Sequence, residues 1–125
     1  MATVKIGLLG LMALFYIGGG VNHFANPDFY IVMMPPDMPA HGFLVALSGM
    51  VEVALGVLVL WPRTRCVAAW TIIAMLVAFL PVHVHMLLNS QLFPDMSVTF
   101  LLLRFPMQAL LVAWAYWYTL DSAPR

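Results

Sequence analysis

The sequence predicts an all-α integral membrane protein, a four-transmembrane-helix bundle forming a single domain over residues 1–125. Three observations carry that expectation. Hydrophobic residues make up 64% of the chain and charged residues only 8%. Four apolar windows each approach the roughly 20 residues that a helix needs to cross hydrocarbon. Proline, glycine or polar clusters separate them. With so little polar surface the chain cannot enclose itself as a water-soluble globule, so its apolar side chains must face lipid.

Formal charge is balanced at neutral pH. No run of Lys or Arg could track a phosphate backbone, which argues against nucleic acid as a partner. The bilayer itself is the expected partner, together with a membrane protein or a second copy of the chain. Cys66 is the single cysteine, which excludes an intramolecular disulfide and a cysteine-based zinc array.

The spans fall at about 4–23, 42–61, 66–88 and 98–119. Lys5 ahead of the first apolar stretch resembles the start of a signal peptide. The segment Gly18-Gly19-Gly20-Val21-Asn22-His23 offers no small-x-small cleavage pattern, however, and three spans follow, so the stretch is read as a membrane helix. Between the first two spans, Asn26-Pro27, Pro35-Pro36 and Pro39 surround the apolar run Phe29 to Met34. That run is too short to span and reads as an interfacial or re-entrant loop. Trp61-Pro62-Arg63-Thr64-Arg65 forms a tight hairpin, and Asn89 to Ser97 joins the last two spans.

Cytoplasmic loops carry the Lys/Arg excess. Lys5, Arg63, Arg65 and Arg125 fall at one end of the spans, while Asp28, Asp37 and Asp95 fall at the other. Trp61, Trp70, Trp114 and Trp117 lie toward the basic end, where amphipathic rings settle among headgroups. The expected placement is a bacterial inner membrane with both termini cytoplasmic.

An ionisable side chain at mid-membrane costs about 2.5 to 3.5 kcal/mol on insertion scales, so such residues usually face the bundle or a wet cavity. The candidates for ligand binding or proton exchange are His23, Glu52, His83, His85, Arg104 and Gln108. Glu52 lies roughly 15 Å and Arg104 roughly 10 Å from the outer ends of their helices, at about 1.5 Å per residue. His23, Glu52, His83, His85 and Arg104 all belong to the outer half, which suggests one shared polar pocket across the bundle.

Helical phase refines this picture. Ser48, Glu52 and Gly56 share a face beside Gly49. Tyr16, Gly19, Gly20 and His23 share another, as do Arg104 and Gln108. Ala74, Ala78, Pro81 and His85 form a stripe in the third span, from which His83 points away unless Pro81 distorts the turn. A structural Glu52–Arg104 ion pair is the alternative to a binding role.

A quinone suits such a pocket, because His, Arg and Glu can hydrogen-bond its carbonyl oxygens while aromatic and Met side chains hold the ring. A metal or haem is the other cofactor class. His23, His41 and His85 are imidazole ligands, and Met34 and Met38 add thioethers that copper(I) accepts. No HxxxH or ExxH spacing accompanies them. No nucleophile triad, phosphate loop or dinucleotide fingerprint is present, and no catalytic residue is assigned.

The order and spacing of several short motifs resemble the DoxX-like family of small four-span membrane proteins. The motifs are GGGVNHF at Gly18 to Phe24, NPDFY at Asn26 to Tyr30, Met-Pro-Pro at Met34 to Pro36, SGMVEVALG at Ser48 to Gly56 and PRTR at Pro62 to Arg65. The resemblance covers nearly the whole chain. It implies a four-helix membrane bundle with relatives among subunits linked to thiosulfate and quinone oxidoreduction and, more distantly, membrane chaperones that assist receptor assembly. The expected function is a redox-associated subunit that binds a quinone-like amphiphile in its outer half. A non-catalytic assembly factor or scaffold is the alternative, and metal handling or small-solute transport is the third reading. Small faces around Gly7 and Gly10 suit self-association.

Overall fold

Helices form wherever the apolar windows fall in the computed structural model, which describes residues 2–120. Helix α1 covers Thr3–Ala25, the short α2 Pro27–Ile31, α3 His41–Leu58, α4 Arg65–Ala78, α5 Leu80–Leu88 and α6 Val98–Thr119, with a 3-10 turn at Ser90–Leu92 between α5 and α6. Among the described residues there is no strand. Four helices, with α4 and α5 counted as one from Arg65 to Leu88, are long and apolar enough to cross a membrane. The bounds expected for the fourth span coincide with α6. Helix α3 stops at Leu58, three residues short of the expected end at Trp61, because the hairpin already draws on its last carbonyls. Arg65 Nε donates to Val59 O at 2.9 Å, a second guanidinium nitrogen donates to Leu60 O at 2.9 Å, and Thr64 Oγ1 donates to Leu58 O at 2.6 Å. Those carbonyls lack helical donors and need such partners.

The bundle is two tight pairs, α1 with α3 and α4–α5 with α6, joined where α3 meets α4. In lipid, helices associate through close backbone approach and polar contacts rather than hydrophobic drive. The α1–α3 pair follows that rule: a Cβ placed on Gly20 would fall 2.5 Å from Gly49 O, and one on Gly56 would fall 2.7 Å from Ile17 Cγ1. Gly7 and Gly10, by contrast, have open space around them.

Two apolar clusters occupy opposite ends of the bundle. The larger gathers Leu9, Met12, Tyr16, Leu55, Ile72, Leu76 and Tyr118. Its end is tied together by Tyr118 Oη donating to Lys5 O at 2.9 Å and by Cys66 Sγ at 3.6 Å from Thr119 O. Lys5 also lies over the Trp117 ring at 5.1 Å, and Trp70 packs edge-on against Tyr116. The basic and aromatic residues of the orientation argument therefore share one end; Arg125 lies outside the described residues. The smaller cluster, Met33, Met86, Phe93 and Leu101, closes the acidic end.

Helix α2 starts at Pro27, the N-terminal position that proline favours. From Met33 onward the chain turns back to α3, entering it at Ala40 with φ 51° and ψ 52°. An alanine in the left-handed region carries a Cβ clash that glycine lacks. Ala40→Gly is expected to stabilise the protein by about 0.5 to 1 kcal/mol, the relief being partly offset by the freer unfolded chain. A thermal midpoint in detergent no higher than that of the wild type would show that the turn bears no such strain.

Candidate functional site

Two polar clusters stand between the apolar ends, and they lie in different helix pairs. The first is built on the α1–α3 contact. His23, in the last turn of α1, and Glu52, in the middle of α3, are 7% and 9% exposed. Glycine at 20 and 49 lets the two backbones touch, which brings His23 Nε2 within 3.2 Å of Glu52 Oε2. The carboxyl lies over Gly19, where a Cβ would fall 3.5 Å from Oε2.

Partners on the other side of the ring fix its orientation. His23 Nδ1 lies 3.1 Å from Val45 O and 3.0 Å from Ser48 Oγ, while the Ser48 hydroxyl donates to Val45 O at 2.9 Å. A carbonyl can only accept, so Nδ1 carries a proton and Nε2 faces the carboxyl. A bare Nε2 opposite an ionised carboxylate would set lone pair against lone pair. One dissociable proton therefore belongs to the pair, either on the carboxyl or on an imidazolium. At 3.2 Å the groups are within ion-pair distance, but their alignment leaves Oε2 without a formed hydrogen bond. The nearby Tyr16 hydroxyl is likewise buried and lacks a hydrogen-bond partner. The site thus combines one mobile proton with two unsatisfied oxygen functions.

Tyr30 covers the site, a role that the sequence reading missed. Its ring centroid is 4.0 Å from that of His23, and its hydroxyl accepts from Asn22 Nδ2 at 2.5 Å. Asn26 in turn donates to Asn22 Oδ1 at 2.7 Å. The signal was present in NPDFY: the Asn26-Pro27 turn starts a new helix that brings Tyr30 back over the end of α1.

The second cluster joins α4–α5 to α6. His83 is 9% exposed, its Nδ1 lacks a hydrogen bond, and its ring meets Phe105 edge-on at 6.3 Å. Arg104 is near enough to act on it electrostatically. A guanidinium nitrogen of Arg104 contacts Met86 Sδ at 3.1 Å, and the group lies 6.0 Å from the Phe100 ring. Gln108 is buried and donates to Leu76 O. That carbonyl lies where the helix ladder is interrupted between α4 and α5, just before Pro81, and Gln108 steadies the break.

The expected single pocket therefore resolves into two sites. Glu52 pairs with His23, and among the described residues no ion pair joins it to Arg104. The stripe expected of the third span is also corrected. Ala74, Ala78 and Pro81 are exposed and His85 is only half-buried, whereas His83 is buried. His83 continues the inward phase of Ile72, Leu76 and Phe79 across the break before Pro81. His85 instead meets Asn89 Nδ2 at 3.3 Å through Nδ1. The residues considered for a metal have separate partners: His41 Nε2 reaches Pro35 O at 3.0 Å, whereas His23 meets Val45 O and His85 meets Asn89. Among the described residues no group of three or more His, Cys, Asp or Glu could hold a metal ion.

A model of a domain of unknown function, DUF8561, matches residues 12–119. The chain belongs to this family. Comparison with curated proteins and with solved structures finds no match, and nothing in these comparisons links the chain to the DoxX-like family. The DUF8561 match takes in both polar clusters, from Tyr16 to Gln108, and leaves Lys5 outside.

Proposed function

We propose that this DUF8561 protein is a bacterial inner-membrane protein, inserted through its four apolar helices with both ends in the cytoplasm. In this reading the His23–Glu52 pair exchanges a proton or hydrogen bond with a membrane-soluble carbonyl compound of the quinone type, as in a redox-associated subunit of the DoxX kind. One observation carries the proposal: a buried carboxyl and imidazole stand 3.2 Å apart while Oε2 of Glu52 and the Tyr16 hydroxyl lack hydrogen bonds. Burying such groups unsatisfied is costly, and a ligand carbonyl with its ring against Tyr30 and His23 would relieve that cost. Orientation follows from Lys5, Arg63 and Arg65 gathering at one end.

The test is an inventory of what stays bound after mild detergent purification, by absorption spectrum and mass spectrometry of the extracted lipids. The expected result is a quinone near one per chain in the wild type and loss of about tenfold or more of its affinity in Glu52→Gln, in line with one lost charge-assisted bond. The glutamine amide can still donate to His23 Nε2, so the fold is expected to persist. Equal quinone content in both proteins would overturn the reading.

A second reading, a non-catalytic assembly factor or scaffold, is favoured by the way His23 pins three elements at once through Val45 O, Glu52 and Tyr30. It predicts an empty site in both proteins, a lower thermal midpoint for Glu52→Gln, and a stoichiometric membrane partner in pull-downs.

A further inference from the structure

We propose that Arg104 and His83 bind the phosphate of an anionic phospholipid whose acyl chain lies in the groove between α4–α5 and α6. The inference shares the membrane placement above but not the His23–Glu52 site.

Arg104 presents five N–H donors. Among the described residues its contacts are a thioether and an aromatic face, and no carboxylate is within ion-pair range. Charged residues in spanning helices usually find a partner of opposite sign, and here the described residues supply none. Beside the guanidinium stands a second polar function without a partner, Nδ1 of the buried His83. A planar guanidinium fork matches two phosphate oxygens, and an imidazole can engage a third lone pair.

Depth and shape favour a lipid. Arg104 is six residues beyond the start of α6, or roughly 9 Å at about 1.5 Å per residue, and its long stem can carry the charge outward to the headgroup layer. From Phe105, next along the helix, runs an apolar groove of about 290 Å³. Val77, Leu80, Phe105, Ala109 and Val112 line it, with Gln108 as its polar member. A groove of that lining accepts hydrocarbon, and the cation at its outer end accepts the charge. A net-negative headgroup satisfies Arg104, whereas the ammonium of a choline headgroup opposes it.

The test uses delipidated full-length protein given equal amounts of phosphatidylglycerol and phosphatidylcholine, with retained lipid counted by native mass spectrometry. The expected preference for phosphatidylglycerol is about tenfold in the wild type and close to none in Arg104→Gln, as for one charge-assisted contact. Arg104→Lys keeps the charge without the fork and should fall between them. Equal retention of the two lipids by the wild type, or an unchanged preference in a folded Arg104→Gln protein, overturns the proposal. Displacement of phosphatidylglycerol by equimolar oleate overturns it too, by assigning the site to fatty carboxylates. Should Arg104→Gln fail to fold, the wild type alone decides: its thermal midpoint must rise more with phosphatidylglycerol than with phosphatidylcholine, and equal midpoints overturn the assignment. The preference is expected to persist in Glu52→Gln, so failure here and failure of the quinone reading are separable.

Discussion

Gly20→Ala is expected to destabilise the protein by about 3 kcal/mol, at the upper end of what overpacking a well-fitted interior costs. The added methyl would fall 2.5 Å from Gly49 O, 2.6 Å from Val53 Cγ2 and 2.9 Å from Val53 N. Two of those three atoms are backbone, which no change of rotamer can move, so α1 and α3 must part. Separation here is serious because the helices have no hydrophobic drive toward one another in lipid and depend on contact itself. Gly49→Ala should behave similarly, its methyl meeting His23 Cβ at 2.7 Å and Gly20 O at 2.9 Å, and it would also push His23 off Glu52. Gly18→Ala is the control: nothing lies within 4 Å of that position, and helix propensity should even gain by up to about 1 kcal/mol. Denaturation in mixed micelles orders the three. A Gly20→Ala protein as stable as Gly18→Ala would show that the close approach of α1 and α3 is not what holds them.

That glycine contact also marks how far the sequence could be read. Four spans were legible because length and apolarity suffice to define them, and breakers fixed most ends to within two residues. The inward face of each span is harder to read. A membrane helix is apolar all round, so the contrast that reveals a buried stripe in water is missing; the sequence leaves His83 and His85 as equal candidates, and the phase of Ile72 and Leu76 that carries His83 inward does not stand out. Helix α3 was different, because Gly49, Glu52 and Gly56 are too unlike their neighbours to face lipid.

The shared pocket failed for a geometric reason. Position along a helix gives depth, and His23, His83 and Arg104 do lie in the halves of their helices nearer the acidic end, with Glu52 near the middle of α3. Depth is one coordinate only. Which helices are neighbours is a property of the fold, and α1 with α3 and α4 with α6 divide the four residues into two pairs. Met86, the sulfur that faces Arg104, and Tyr30, the cover on His23, are ordinary residues in sequence and acquire meaning only from those pairings.

His23→Leu should cost more than any other change at the first site, about 3 to 5 kcal/mol, the usual penalty for removing one member of a buried ionisable pair. The loss exceeds the removed contact because Glu52 remains 9% exposed between α1 and α3 with neither a cation nor an acceptor opposite it. Val45 O and Ser48 lose a partner as well. Replacing both residues, His23→Leu with Glu52→Leu, removes the stranded carboxyl along with the imidazole, and apolar pairs of similar volume often equal or exceed the ion pair they replace. The double variant is therefore expected to recover most of the stability, with an interaction energy of about 3 kcal/mol across the cycle. That recovery bears directly on function. A pair that costs stability relative to its apolar replacement is maintained for something other than folding, and under the proposed function the doubly substituted protein should then fold well without retaining a quinone. If the two single losses simply add, so that the double variant is the least stable of all, His23 and Glu52 act independently, and the single shared proton from which the site was derived does not exist.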